Sequence, residues 1–391
     1  MKVIIVGGGF GVIRTAQNHA NKQGFEVRLV SPQTYFEYHA ALYRSATGRS
    51  PLEVAIPLVD FFSKYRNIEV VQDKISAIDP KEKTLTGESE SVYKYDVVIF
   101  AIGAVTQYFG IKGLAEYSYG VKTINEALEL KREIHDDLVS ERQAERNYVV
   151  VGAGASGVEL SGELMHYLKY VRKQHGINGN YKVDLIEAAP NVLPNLPQNF
   201  TDRIAKQIEN LGINTYFNTA VQSETVDKIK LPKGDIKSHT VVWTAGLANN
   251  PFFQKYPDLF PAGKGGKIVV SDYLEAAPHI YVIGDGALTK YSGMAQTAVH
   301  DANFVTNNLK RSLKGESPIA YQPKRPVYAI PAGHKWSAVL WGNIKIYGYF
   351  GWILRRLADL KLYLIFLPLS KAFTTWQYGF ASQESCEQCR K

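Results

Sequence analysis

The sequence predicts an α/β protein made of two successive doubly wound units, followed by an amphipathic helical segment. Three observations predict it. A strand, a glycine turn and a helix open the chain, and the same pattern returns at Gly152. Beyond Lys324 the texture changes, with aromatic and apolar residues crowded among Lys and Arg.

In the first copy the apolar run Val3 to Val6 reads as a buried strand and Gly7 to Gly11 as the turn. A helical stretch then ends near Gly24, and Glu26 to Val30 is the next strand. An alternating segment, Ile68 to Asp79, a turn-rich stretch, Asp79 to Ser91, and the apolar run Val97 to Ala101 follow as short strands and one buried parallel strand. The second copy runs through Tyr148 to Val151, the turn Gly152 to Gly157, a longer helix to about Val171 and the strand Lys182 to Ile186. Asn214 to Phe217 is a further strand, and Thr240 to Ala245 is the counterpart of Val97 to Ala101. Ile280 to Ile283 is a strand that runs into Gly284-Asp285-Gly286, and Ala295 to Lys310 reads as a helix. The spacing of the copies is that of one Rossmann-like unit and its connections.

Of the 391 residues 45% are hydrophobic and 21% charged, the balance of a globular chain. Lys and Arg outnumber Asp and Glu by 45 to 37, and the net charge of +8 suits anionic cofactors, nucleic acid or an anionic membrane. No basic run interleaved with aromatics occurs in the body of the chain, which argues against nucleic acid. The two cysteines, Cys386 and Cys389, give no disulfide framework, as suits a reducing compartment. Their C-x-x-C spacing lacks both a βαβ setting and a second ligand pair, so it reads as a tail without catalytic duty rather than a redox or metal site. The N-terminal apolar run stops at Gly7, too short for a signal sequence, so the body of the protein is expected in the cytosol.

Gly152-Ala153-Gly154-Ala155-Ser156-Gly157 is a full G-x-G-x-x-G between strand and helix. Its glycines allow a tight turn, close approach of backbone to a pyrophosphate, and close helix packing, while the helix N-terminus offers N–H groups to phosphate. Glu187 ends the next strand, where a carboxylate accepts hydrogen bonds from ribose hydroxyls and repels a 2′-phosphate; NADH is therefore favoured over NADPH. The first copy, Gly7-Gly8-Gly9-Phe10-Gly11-Val12, has Val12 at the third glycine position, and its second strand ends in Ser31 instead of an acid. Val12 implies a wider helix-to-strand spacing. Asp285, flanked by glycines at a strand end, is placed to bond a sugar-alcohol chain or, alternatively, to cap the next turn.

Taken in order, these motifs resemble the two-dinucleotide-binding flavoprotein oxidoreductases, and within them the type II NADH:quinone oxidoreductases. The resemblance rests on Gly7 to Gly11, His39 to Gly48, Tyr95 to Gly103, Gly152 to Glu163, Glu187 to Pro190 with Leu193-Pro194, Trp243 to Gly246, Ile283 to Asp285 and Ala295 to Ala298. It implies an FAD-binding domain over 1–110 and 263–323, an NADH-binding domain inserted over 111–262, and a membrane-associating region over 324–391. On the FAD side it implies Gly7, Gly9, Phe10 and Gly11 at the pyrophosphate, Ser31 at the ribose, Ile75 at adenine through its backbone and Asp285 with Gly284 at the ribityl chain. Ala101, Gly103, Ala295 and Gln296 complete these cofactor contacts. On the NADH side it implies Gly152, Gly154, Ser156 and Gly157 at the phosphates, Glu187 at the ribose, and Glu159 with Ala245 and Gly246 along the nicotinamide path. The implied reaction passes hydride from NADH to flavin and two electrons to a quinone, without proton pumping and without a metal.

Gln296 and His300 are the candidates near the quinone, and Glu159 and Glu163 the candidate proton relays; a helix carboxylate or histidine with only a structural role is the alternative for each. Ile102 stands where the family usually has Thr, and the motif beginning Ala295-Gln296 ends as Val299-His300-Asp301, which departs from the family pattern where quinone contacts are expected. Disulfide reductases and sulfide oxidisers of this fold need thiols beside the flavin, and this chain has none before Cys386. A soluble reductase with a protein acceptor and a non-catalytic flavin-binding sensor are the rival readings.

The segment Tyr347 to Leu369 carries Arg355, Arg356, Asp359 and Lys361 mid-run and then Pro368, so it does not span a bilayer, which takes about 20 mostly apolar residues. It reads as a helix lying at the interface, peripheral to the cytoplasmic face of the cell membrane. Trp352, Leu357, Leu360 and Leu364 would enter lipid, and Arg355, Arg356 and Lys361 would meet anionic headgroups. Packing on the two units, or a homodimer contact, is the other use of such a face.

Overall fold

The computed structural model describes residues 1–140, 145–178 and 180–381. Cys386 and Cys389 lie outside the described residues.

The first unit begins with β1 (Lys2–Val6), α1 (Phe10–His19), β2 (Glu26–Ser31), β3 (Ile68–Gln72) and β4 (Val97–Phe100). The second follows with α2 (Ile124–Ser140), β5 (Glu145–Val151), α3 (Ala155–His175), β6 (Asn180–Ile186), α4 (Gln198–Asn210), β7 (Asn214–Tyr216) and β8 (Thr240–Trp243). The chain then returns to the first unit with β9 (Glu275–Ala277), β10 (Ile280–Val282) and α5 (Ala295–Leu313). The two sheets have the orders β9-β10-β4-β1-β2-β3 and β7-β6-β5-β8. Every pairing is parallel except that of β9 with β10. In each sheet the central strand, β1 or β5, ends at a glycine turn where the strand order reverses, the place at which open α/β sheets take ligands. Outward and return connections pair as an antiparallel ribbon, Ala104–Thr106 against Leu247–Asn249.

Periodicity explains the helices. In α3 the buried Leu160, Leu164, Leu168 and Val171 recur at the three-to-four spacing that keeps one face on the sheet. Gly176 ends it at φ +61°, its N–H returning to the Arg172 carbonyl.

The glycine turns differ as the sequence suggests. A Cβ on Gly157 would collide with the Gly152 carbonyl, so the third glycine of the second turn is sterically required. In the first turn that position is the fully buried Val12, whose methyl fills the space beside Gly7.

The residues after 324 divide between both cores. β11 (Tyr328–Pro331), β12 (Ser337–Trp341) and β13 (Ile344–Ile346) form an antiparallel sheet whose Ile330, Ala338 and Leu340 join the second core. After it come α6 (Tyr349–Phe366) and α7 (Leu369–Tyr378), and their Tyr363, Phe366 and Ala372 join Phe10, Phe36 and Tyr38 in the first core.

One expectation is corrected here. Arg355 and Arg356 do not face headgroups; they are 7% and 4% exposed, buried together with Asp359. Arg44 bonds Asp359 at 2.9 Å and Glu53 at 3.0 Å, Arg356 bonds Glu53 at 2.8 Å, and Arg355 pairs with Asp359. Three guanidiniums thus enclose two carboxylates, joining α6 to residues some three hundred positions earlier. Leu357 and Leu364 are exposed as expected, with Phe350, Leu369 and Phe373 beside them in sequence. Among the described residues no helix is long and apolar enough to cross a membrane.

Candidate functional site

A cleft of about 960 Å³ lies between the units, at the upper end of the range for small-molecule sites, about 300–1,000 Å³. Three helix N-termini reach it: α1 through Gly9, Phe10 and Gly11, α3 through Gly154, Ala155 and Ser156, and α5 through Met294, Ala295 and Gln296. The caps Gly9, Gly154 and Met294 make no side-chain bond to the N–H groups that follow. Uncapped N–H groups and three positive dipole ends favour phosphate or any group that gains negative charge.

Most residues expected at the site converge there. Gly9, Phe10, Gly11, Ala101, Gly103, Gly154, Ser156, Glu159, Ala245, Gly246, Gly284, Asp285, Ala295 and Gln296 line the cleft. Gly7, Gly152 and Gly157 shape the turns behind it. Glu187 accepts the Ala153 N–H at 2.6 Å and the Ala189 N–H at 2.9 Å, which fixes its carboxylate against the second glycine turn.

Others stand apart. Ser31 is fully buried and its hydroxyl accepts the Gln33 N–H at 3.3 Å; Gln33, not Ser31, reaches the cleft. Ile75 is buried opposite Gly87 in a separate three-stranded antiparallel sheet, outside the cleft lining. Glu163 faces a second cavity and pairs with Arg49 at 3.5 Å. His300 turns outward, its Nε2 2.9 Å from the Gln322 carbonyl, and does not line the cleft. Gln296 donates to the Val327 carbonyl at 2.9 Å and accepts the Val327 N–H at 3.2 Å, so its amide secures the segment 327–330 that walls the cleft.

The electrostatics single out Glu159. Burial pushes its carboxyl up to about 7, although Arg355 and Arg44 pull the other way. A carboxyl inside a cleft that takes and releases a proton near neutrality is suited to general acid or base work. Glu37 is also raised by burial, while its carboxylate accepts the Ile124 N–H at 2.9 Å. Burial, helped by Lys122, holds the neighbouring His39 down at about 4, so its ring is neutral at pH 7.

Sequence reasoning missed Glu37, His39, Lys122 and Arg355 in the lining. It also missed Asp301, which is fully buried and accepts the Gly284 N–H at 3.0 Å and the Tyr321 hydroxyl at 2.6 Å, holding the turn that presents Asp285. The cue was available: Asp301 closes the segment that departs from the family pattern.

A family profile described as pyridine nucleotide-disulphide oxidoreductase matches residues 1–302. The chain belongs to this family. The type II NADH:quinone oxidoreductase Ndh of Mycobacterium tuberculosis is 28% identical over 413 residues, covering 97% of this chain and 88% of that one. Among solved structures, NDH2 of Plasmodium falciparum in complex with NADH superposes with a TM-score of 0.86 at 19% identity, over 97% of each chain. The sulfide:quinone oxidoreductase of Aquifex aeolicus gives 0.80 at 19% identity, over 100% of this chain and 94% of that one. These two likenesses establish the fold. Membership in the pyridine nucleotide-disulphide oxidoreductases does not bring a dithiol with it: no cysteine precedes Cys386.

Proposed function

We propose that this chain is an FAD-dependent NADH:quinone oxidoreductase of type II. The observation that carries the reading is the meeting of two glycine-turn helix N-termini, those of α1 and α3, in one cleft, with Asp285 in its lining and Glu187 fixed against the second glycine turn. The uncapped N–H groups fit two pyrophosphates, and the name of the mycobacterial relative supports the pairing of NADH with quinone.

Gly9 to Gly11 and Asp285 hold FAD; Gly154 to Gly157 and Glu187 hold NADH. FAD, when bound, supplies a two-electron relay between nicotinamide and quinone. The chain orients the two rings, keeps water from between them and manages protons. Glu159 exchanges a proton at its carboxyl oxygen, and the N-terminus of α5 stabilises negative charge that develops beside it. No side-chain nucleophile is needed.

The exposed strip Phe350, Leu357, Leu364, Leu369 and Phe373, with Lys361, docks on anionic lipid, giving a peripheral enzyme on the cytoplasmic face. Purified protein should show a flavin visible spectrum that bleaches with NADH and returns when a quinone analogue is added. Bleaching without quinone-driven recovery would indicate a different acceptor, and a colourless protein that ignores NADH would end the reading. Flotation with anionic vesicles tests the membrane, and sedimentation tests a homodimer on the same strip.

A further inference from the structure

Behind the main cleft a smaller cavity of about 270 Å³ opens between α3, the loop 331–335 and the end of α7. Tyr43, Arg49, Glu163, His334 and Arg355 are in its walls, and Arg355 also lines the main cleft. α3 joins the two. Glu159 lines the cleft, Glu163 one turn later lines the outer cavity, and His166 follows three residues on, so the three titratable groups share one helix face. His166 stacks on His334 with ring centroids 3.9 Å apart and planes at 10°.

Such a stack carries one proton far more readily than two. Burial holds both imidazoles below their ordinary value; Arg49 and Lys335 reinforce this for both, and Lys169 for His166, while Glu163 pulls upward. Both rings therefore rest neutral at pH 7, and a proton that reaches either is readily passed on. Tyr43 lines the outer cavity with Glu163, and burial, with Glu159 and Glu163 adding to it, keeps its hydroxyl protonated. Glu159 in turn faces Arg355, Arg44 and Asp359.

The chemistry of the cleft requires a proton supply. NADH + H⁺ + quinone gives NAD⁺ + quinol: one C–H bond of the nicotinamide breaks, two O–H bonds form on the quinone, and the second hydrogen comes from water. We propose that the outer cavity is the mouth of that supply, with protons received at the His166–His334 stack, passed to Glu163, and carried past the Tyr43 hydroxyl to Glu159, which delivers them into the cleft. This rests on the NADH:quinone reading above.

The test uses the full-length, FAD-loaded protein. In His334→Asn, quinone turnover at about pH 8 should fall at least about tenfold, the solvent deuterium isotope effect should rise, and added imidazole should restore part of the rate. NADH should still reduce the flavin in a single turnover, which places the loss in proton delivery. A second readout needs no turnover: the infrared C=O band of protonated Glu159, assigned by its loss in Glu159→Gln, should change its titration midpoint in Glu163→Gln and in His334→Asn. Unchanged quinone turnover and isotope effect in His334→Asn, or loss without imidazole rescue, would overturn the path. If the wild-type protein reduces no quinone, the functional reading fails by itself, and the infrared coupling still decides between a connected file, which supports the path, and independent groups, which overturn it.

Discussion

Glu187 shows how one side chain serves structure and selectivity together. Two of its lone pairs accept the backbone N–H groups of Ala153 and Ala189, which leaves acceptor capacity for a ribose diol and negative charge against a phosphate ester. Glu187→Gln keeps an acceptor for the turn and removes the charge, so the preference for NADH over NADPH should narrow by at least about tenfold, or about 1.4 kcal/mol, in kcat/KM ratios. At Asp285, Ala substitution should give a folded protein that loses flavin on dialysis, measured by the visible spectrum; full retention would assign the ribityl contact elsewhere. Glu159 sets a pH dependence. Its carboxyl is protonated below about 7, so quinone turnover that needs this proton should fall as pH rises through about 7, and Glu159→Gln should abolish that inflection. These residues were legible because strand, turn and terminal acid are local patterns. His300 was not: which side of α5 faces the cleft depends on the loop carrying Gln322, and no periodicity encodes a carbonyl more than twenty residues away.

At the level of the element, α6 is where sequence pattern and structure part. Arg355, Arg356 and Asp359 interrupt an apolar run, which an isolated helix would turn to solvent or lipid. Their partners Arg44, Glu53, Tyr38 and the Ala40 carbonyl arise from the first unit, and only tertiary contact reveals that the charged face points inward. Arg355 holds the carboxyl of Asp359 down at about 2, with help from Arg44 and Arg356, against its burial. The sign follows: a carboxylate depressed in the folded state contributes stability that is complete above the unfolded value of about 4 and fades as pH falls toward about 2. Asp359→Ala leaves three buried guanidiniums with Glu53 alone and should cost about 3–5 kcal/mol, read by denaturant unfolding at pH 7. The loss should shrink in a melt taken near pH 3, where the unfolded chain already binds a proton at this carboxyl and part of the stabilisation is gone. A change under about 1 kcal/mol would mean that water enters the network.

For the whole molecule the decisive question is whether the C-terminal helices are an anchor attached to a finished enzyme or part of the enzyme. Tyr363, Phe366, Leu367 and Ala372 are buried in the same core as Phe10 and Tyr38, and Phe10 is itself in the glycine turn that lines the cleft. Phe10 packs on Phe36 and Phe366 at centroid distances of 5.1 and 6.2 Å. Removing one buried Phe side chain typically costs about 3–5 kcal/mol, against a total stability of about 5–15 kcal/mol for a native protein. Cutting the chain before Gly342 removes several such groups and takes Asp359 from Arg44 and Arg356 from Glu53. The truncated protein should therefore lose cooperative melting and FAD retention together, instead of yielding a soluble core that still accepts hydride. Membrane docking is separable from this because the exposed strip lies on the other side of α6. Leu357→Asp with Leu364→Asp touches neither the core nor the ion network. That double variant should keep the wild-type melting temperature and NADH-driven bleaching of the flavin, yet lose flotation with anionic vesicles and turnover with long-tail quinone. A short-tail quinone dissolved in water should still be reduced. Flotation that persists in the double variant would move the lipid contact to another face, and a lowered melting temperature would show that the strip is packed against protein in solution.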